Sequence, residues 1–222
     1  MRTKCDFDRF YKSGDPWGVN KYDWTIRDRV IYEVAWSHAK GKFVLEIGCG
    51  EGNHTRRIFS EVCSRVFAVD ISEVAISRLR ELKLKNVTYL VDDMLHVDLD
   101  EKYEVIFALE CLYYLSSDEQ EEFWLKLKNQ ARGKLFVMSC PIIGANEHRR
   151  YFRENDLVST FEKFGFNVIE SRNISFKWSE KTLDRVLFNV LRLAEFIGLL
   201  NPATIQLLPD GWVYQKIFVI RI

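Results

Sequence analysis

The segment Val44-Leu45-Glu46-Ile47-Gly48-Cys49-Gly50-Glu51-Gly52-Asn53 most constrains what this chain can fold into. An apolar run of strand character leads directly into three alternate glycines, and a helical pattern follows. Glycines carry no Cβ, so such a loop turns tightly and leaves bare backbone for a ligand. In α/β proteins a strand–glycine loop–helix junction is where a nucleotide-like ligand is held. Dinucleotide-binding loops read G-x-G-x-x-G. This one reads E-x-G-x-G-x-G, with Glu46 ahead of the first glycine.

The rest of the chain alternates β-rich runs with helical patterns, the signature of a parallel sheet covered by helices on both faces. The patterning predicts strands at Phe43–Ile47, Arg65–Asp70, Val87–Val91, Val105–Leu109, Lys134–Ser139, Asn167–Arg172 and Val213–Arg221. It predicts helices at Asn53–Ser60, Glu73–Lys83, Ser117–Asn129 and Glu154–Phe164. No repeat or Pro/Gly linker divides the sequence, so residues 1–222 are expected to form one domain. Two segments stand outside the alternation: a helical, aromatic arm over residues 1–40 and a helical insertion over 177–208. A core over 41–176 and a terminal strand over 209–222 complete the division. Both extra segments are expected to cover the carboxyl edge of the sheet as a lid, since open α/β folds bind ligands there.

Composition narrows the function. Lys plus Arg and Asp plus Glu are 32 each, so no global field attracts a polyanion and there is no strong nucleic-acid signal. The five cysteines (Cys5, Cys49, Cys63, Cys111 and Cys140) show no C-x-x-C spacing and read as small reduced core residues. The N-terminus has no apolar signal core, and the greasy run Leu187–Leu200 is interrupted by Asn189, Arg192 and Glu195, too short and polar to span a bilayer. A cytoplasmic chain without a membrane span is expected.

Four further motifs follow in order. Val66-Phe67-Ala68-Val69-Asp70-Ile71-Ser72 ends a strand in an acid, and Asn86-Val87-Thr88-Tyr89-Leu90-Val91-Asp92-Asp93-Met94 does the same. The third is Tyr103-Glu104-Val105-Ile106-Phe107-Ala108-Leu109-Glu110-Cys111-Leu112-Tyr113-Tyr114-Leu115, and the fourth Phe164-Gly165-Phe166-Asn167-Val168-Ile169. With the glycine loop as motif I, the set resembles the class I S-adenosyl-L-methionine (SAM)-dependent methyltransferases over residues 40–172 and the last strand. The resemblance implies a Rossmann-like α/β fold, a seven-stranded, mostly parallel sheet with an antiparallel last strand, and SAM as cofactor. It places Glu46, Gly48, Cys49, Gly50 and Gly52 at the cofactor, Asp70 on the ribose hydroxyls, and Ile71 on the adenine face. Asp93 would contact the adenine amino group with Met94 beside the ring, and the Leu109 and Glu110 backbone would lie near the methionine portion. Asp15-Pro16-Trp17 together with the Glu110–Leu115 stretch is similar to the nodulation-type N-methyltransferases, which methylate an amine on a chitooligosaccharide. That likeness does not extend beyond Cys140, so the acceptor is not inherited.

Each assignment has a plainer counterpart. Glu46 either bonds within the loop or holds the cofactor's amino group, and Asp92 can take the role of Asp93 or cap a turn. Glu110, a strand-end acid, is a candidate base or orienter for the acceptor, or a bystander. Tyr113 lines an amine or sugar pocket or is core, and Trp17 and Tyr22 close over the cofactor or simply pack. The run Glu147-His148-Arg149-Arg150-Tyr151 binds an acidic substrate group or is solvated, and His54 is expected to be an ordinary helix residue. No metal is expected, because the Asp-Asn pair of catechol-type enzymes is missing. No N-P-P-Y or D-P-P-Y follows the fourth strand, which argues against methylation of DNA bases or protein glutamine. The expected activity is methyl transfer to an amine or hydroxyl of a small molecule. An RNA or protein methyltransferase and a non-catalytic SAM-binding regulatory subunit stand as alternatives.

Overall fold

The structure is a computed structural model that describes residues 3–18, 24–99, 102–143, 151–176 and 182–222. Two N-terminal helices come first, α1 (Lys4–Tyr11) and α2 (Ile26–Ala39). Each starts at a threonine that accepts the N3 backbone N–H while the N3 aspartate reaches back, a reciprocal capping box. Strand β1 (Phe43–Ile47) runs into the glycine loop. The helix after the loop is not the regular one expected over Asn53–Ser60: Thr55–Phe59 form a π-turn before the short α3 (Ser60–Val62).

Then come β2 (Arg65–Asp70), α4 (Glu73–Glu81), β3 (Val87–Val91), β4 (Val105–Leu109) and α5 (Ser117–Gln130). Strand β5 (Leu135–Pro141), α6 (Glu154–Phe164), β6 (Asn167–Phe176), α7 (Thr182–Phe196) and β7 (Val213–Arg221) complete the chain. Four of the expected strands have the predicted bounds in the first half of the chain, as does β7. Strand β5 starts one residue later and runs on to Pro141, because Cys140 and Pro141 still pair with Lys216 and Gln215 of β7. Strand β6 is longer than expected because bulges at Val168/Glu170 and beyond Asn173 let it follow β7 to Phe176.

The sheet order is β3-β2-β1-β4-β5-β7-β6. All pairings among β1 to β5 are parallel, and β7 runs antiparallel to both neighbours. The central strands β4 and β5 are buried along their whole length, as expected of a sheet covered on both faces. Phe107, wholly buried, points to the face covered by α2 and the π-turn; Phe136, equally buried, points to the face of α5 and α6. Each such side chain contributes roughly 1.5–3 kcal/mol. β1 pairs with β2 on one side and β4 on the other, so the chain reverses its direction of travel there and a crevice opens at the strand ends.

The insertion does not sit where a lid was expected. Its described residues pack against the outer strand and α2: Leu191, Leu200 and Ile205 join Ile174 and Phe176 in one core cluster. Gln206 bonds the backbone of Asn173 in both directions. Arm residues, by contrast, do reach the crevice. Cys5 is also an exception to expectation, being exposed, while the other four cysteines are buried; all five are free.

Candidate active site

A cavity of about 350 Å³ lies at the β1/β4 crevice. Its floor is the glycine loop, tied to β2 by an acid. The Gly50 N–H donates to Asp70 Oδ2 at 2.8 Å, and the Ser72 N–H donates to Asp70 Oδ1 at 2.9 Å. Burial lifts the Asp70 carboxyl to about 6, the two backbone donors opposing that rise. Three glycines could not be replaced cheaply, the first being Gly48, with φ +71° and a Cβ that would stand 2.7 Å from Cys111 Cβ. Gly50 has φ +55°, and a Cβ there would stand 2.7 Å from Tyr11 Oη; Gly52 has φ +81°, and its Cβ would stand 2.1 Å from Leu79 Cδ1.

Of the residues expected at a cofactor, Gly48, Cys49, Gly50, Asp70, Ile71, Asp93, Met94, Leu109 and Trp17 line the cavity, as do Glu110 and Tyr113. Glu46 and Gly52 do not. Glu46 is buried under the loop, where it accepts a 2.6 Å hydrogen bond from Thr55 Oγ1 and burial pushes its carboxyl up to about 8. Gly52 is spent on the contact with Leu79 on α4. Asp92 and Asp93 both face the cavity. Each accepts a nearby backbone N–H, Asp92 that of Asp93 and Asp93 that of Leu95. Tyr22 and Glu147 to Arg150 lie outside the described residues.

The arm closes one side. The Asp15 N–H donates to Glu51 Oε2 at 2.8 Å, and Arg78 of α4 bonds both Glu51 and the Tyr11 carbonyl. The hydroxyl of Ser72 donates to Asp8 at 2.6 Å. Aromatic rings continue the wall. Phe7 stands edge-on to Tyr114 at 5.2 Å, Trp17 lies 6.2 Å from Tyr114, and Tyr113 contacts Tyr114 at 4.7 Å and Tyr151 at 4.9 Å.

Glu110, the residue after β4, has φ +57°, a left-handed backbone unusual for a residue with a Cβ. Its Oε1 accepts from Ser139 Oγ at 2.9 Å and its Oε2 from Gln215 Nε2 at 2.7 Å. Burial raises its carboxyl above the usual range, against the nearby Arg27 and these donors.

Several lining residues were not anticipated: Tyr11, Arg27, Asn53, His54 and Gln215. His54 was expected only as a helix residue; it faces the cavity, 3.5 Å from Asp28, with its imidazole held below the usual range by burial. Both side-chain polar atoms of Asn53 and the Arg27 Nε are buried without a hydrogen-bond partner. One signal was legible. The box Thr25–Asp28 puts Arg27 at the second position of a helix, where a cation opposes the dipole and gains nothing locally. Gln215 left another, as a polar residue on the Val213/Ile217 face of an apolar strand.

Residues 44–132 match the methyltransferase domain model. Nodulation protein S of Azorhizobium caulinodans is 29% identical over 108 residues, 48% of this chain and 52% of that protein. The tRNA U34 carboxymethyltransferase of Vibrio cholerae is 28% identical over 137 residues, 57% of this chain and 39% of that protein. The chain thus spans about half or less of these relatives. Among solved structures, N-methyltransferase NodS from Bradyrhizobium japonicum, in complex with S-adenosylhomocysteine, superposes with a TM-score of 0.66 at 16% identity, covering 100% of this chain and 98% of that one.

Proposed function

We propose that this chain, which has the class I SAM-dependent methyltransferase fold and carries a methyltransferase domain over residues 44–132, transfers a methyl group from SAM to a nitrogen or oxygen of a small molecule. The observation that carries the reading is the cavity where the glycine loop is bonded to the strand-end carboxylate of Asp70.

The residues present fit SAM on their own chemistry. A zwitterionic amino-acid tail needs donors and an acceptor close together. Asn53 offers an unused amide N–H and C=O, and Arg27 a cation with an unpartnered Nε. Arg27 and Asn53 would take the carboxylate, and the Asn53 oxygen the ammonium. Asp70 would accept the ribose hydroxyls with the lone pairs left by its backbone donors. Ile71 and Met94 would flank adenine, with Asp92 or Asp93 on its amino group. When bound, SAM supplies an electrophilic sulfonium methyl that needs little further activation.

The chain's own work is therefore alignment and exclusion of water. The tyrosines and Trp17 wall off the acceptor side, and Glu110 receives the acceptor's proton or orients its lone pair.

Calorimetric titration with SAM and S-adenosylhomocysteine tests the proposal. Micromolar affinity for both is expected, about −8 kcal/mol. Replacing Asp70 by Ala should weaken it roughly ten- to a hundredfold. A folded wild-type chain that binds neither, or an unchanged Asp70→Ala, would sink it. The likeness to a tRNA carboxymethyltransferase favours one second reading, an RNA acceptor. Salt-dependent binding of bulk tRNA, with methyl incorporation into it, would establish that reading instead.

A further inference from the structure

We infer that Gln215 and Ser139 are positioning residues that hold Glu110 as an oriented proton acceptor at the acceptor side of the cavity. The inference rests on the methyl-transfer reading above and names the residues that would tune it.

Three strands meet at this carboxylate. Glu110 follows β4, Ser139 is on β5, and Gln215 is on β7. Leu109 is paired with Ser139, and the Glu110 N–H donates to the Ser139 carbonyl at 3.0 Å, so the backbone itself is pinned across β4 and β5. Each carboxylate oxygen is then held from a different strand, Oε1 by Ser139 and Oε2 by Gln215. That fixes the plane of the group, and the left-handed φ shows that the surroundings over-determine its position.

The Gln215 bond is directional. The amide nitrogen can only donate, so it favours the ionised carboxylate over the acid. Gln215 is 7% exposed and Ser139 1% exposed, and both sit in apolar strands. A buried polar side chain costs unless it is bonded, so a packing role alone would be served better by Val or Leu. A carboxylate has about four acceptor sites. Ser139, Gln215 and the side chain of Tyr113 take three, leaving one for the acceptor's N–H or O–H.

The charged and titratable groups around Glu110 are Arg27 from α2, Tyr113, Cys111 and, on β5, Cys140. Burial holds both thiols well above their usual range, so they stay neutral. Arg27 and the three donors thus oppose the cost of burying the charge. In the reaction, a lone pair of the acceptor nitrogen or oxygen forms the new bond to the methyl carbon. With SAM bound, the electron pair of the old methyl bond would stay on its sulfur, and Glu110 would receive the acceptor's proton.

The test follows the Glu110 carboxyl directly. Infrared difference spectra of the full chain across pH, with Glu110→Gln as reference, report when this one group ionises. In Gln215→Leu and in Ser139→Ala, Glu110 should hold its proton roughly tenfold more tightly than in the wild type. In Gln215→Glu, isosteric with the wild type, the like charge should raise proton affinity further. If Gln215→Leu does not fold, the other two variants carry the test. Unchanged ionisation in folded variants would overturn the inference. Titration of the wild type with S-adenosylhomocysteine keeps the two readings apart: failure to bind removes the methyltransferase reading, whereas Glu110 would still respond to Gln215.

Discussion

Glu46 is 3% exposed beneath the glycine loop, and its carboxyl is lifted from 4.5 to about 8 by burial, with the bond from Thr55 opposing. An acid whose folded value lies above its unfolded one holds a proton that the unfolded chain has already lost. Stability from this residue is therefore complete below 4.5 and is lost as pH rises through about 8. The slope is at most about 1.4 kcal/mol per pH unit. Urea unfolding at intervals across that window should show Glu46→Gln gaining on the wild type as pH rises. Parallel curves would mean that Glu46 is not buried as an acid. Gly52 supplies a steric counterpart. Gly52→Ala should destabilise by more than about 1 kcal/mol, from both the positive φ and the contact with Leu79. Gly52→Ala with Leu79→Ala should cost less than the two single changes added together, in the same unfolding assay.

At the scale of elements, the insertion is bonded to α2, the helix that carries Arg27. Glu195 on α7 accepts the Ile26 N–H at 2.7 Å, one of the first amides of α2 that no helical carbonyl can satisfy. Arg192 holds its other oxygen at 3.0 Å. The next residue along α2 is Arg27. Glu195→Ala should thus cost about 1–3 kcal/mol for a buried, unsatisfied N–H. It should also weaken binding of S-adenosylhomocysteine, although Glu195 does not line the cavity. Unaltered affinity in a destabilised variant would show that α2 keeps Arg27 in place unaided. The patterning of short strands between helices was readable because the central strands β1, β4 and β5 are buried along nearly all of their length and so read as apolar runs. The π-helical segment at Thr55–Phe59 was not readable; its first residue, Thr55, donates to Glu46 on β1, a contact with no periodic signature.

For the whole molecule, ligand binding and folding are linked. The arm, the glycine loop, β2 and β4 all contribute to one cavity, so a ligand there binds only the folded chain. S-adenosylhomocysteine at about a hundred times its dissociation constant should add about 2.7 kcal/mol. For a domain of this size that raises Tm by roughly 5–10 °C. A thermal melt with no rise at saturating ligand would contradict the proposed site. Among the described residues, no helix is long and apolar enough to cross a membrane.

What the sequence determined by itself was local and periodic: the strand runs, the glycine loop, the acids that end β2 and β3, and Glu110 just after β4. These follow from alternation, burial runs and glycine geometry, which act over a few residues. Only the tertiary structure decided the rest. Arg27 and Gln215 reach one cavity from opposite ends of the chain because α2 and β7 pack beside β4 and β5. The insertion lies on the outer strand, where Leu191, Leu200 and Ile205 are buried together with Ile174 and Phe176. Contacts between residues so distant in sequence leave no periodic trace, and no local rule ranks one apolar surface above another.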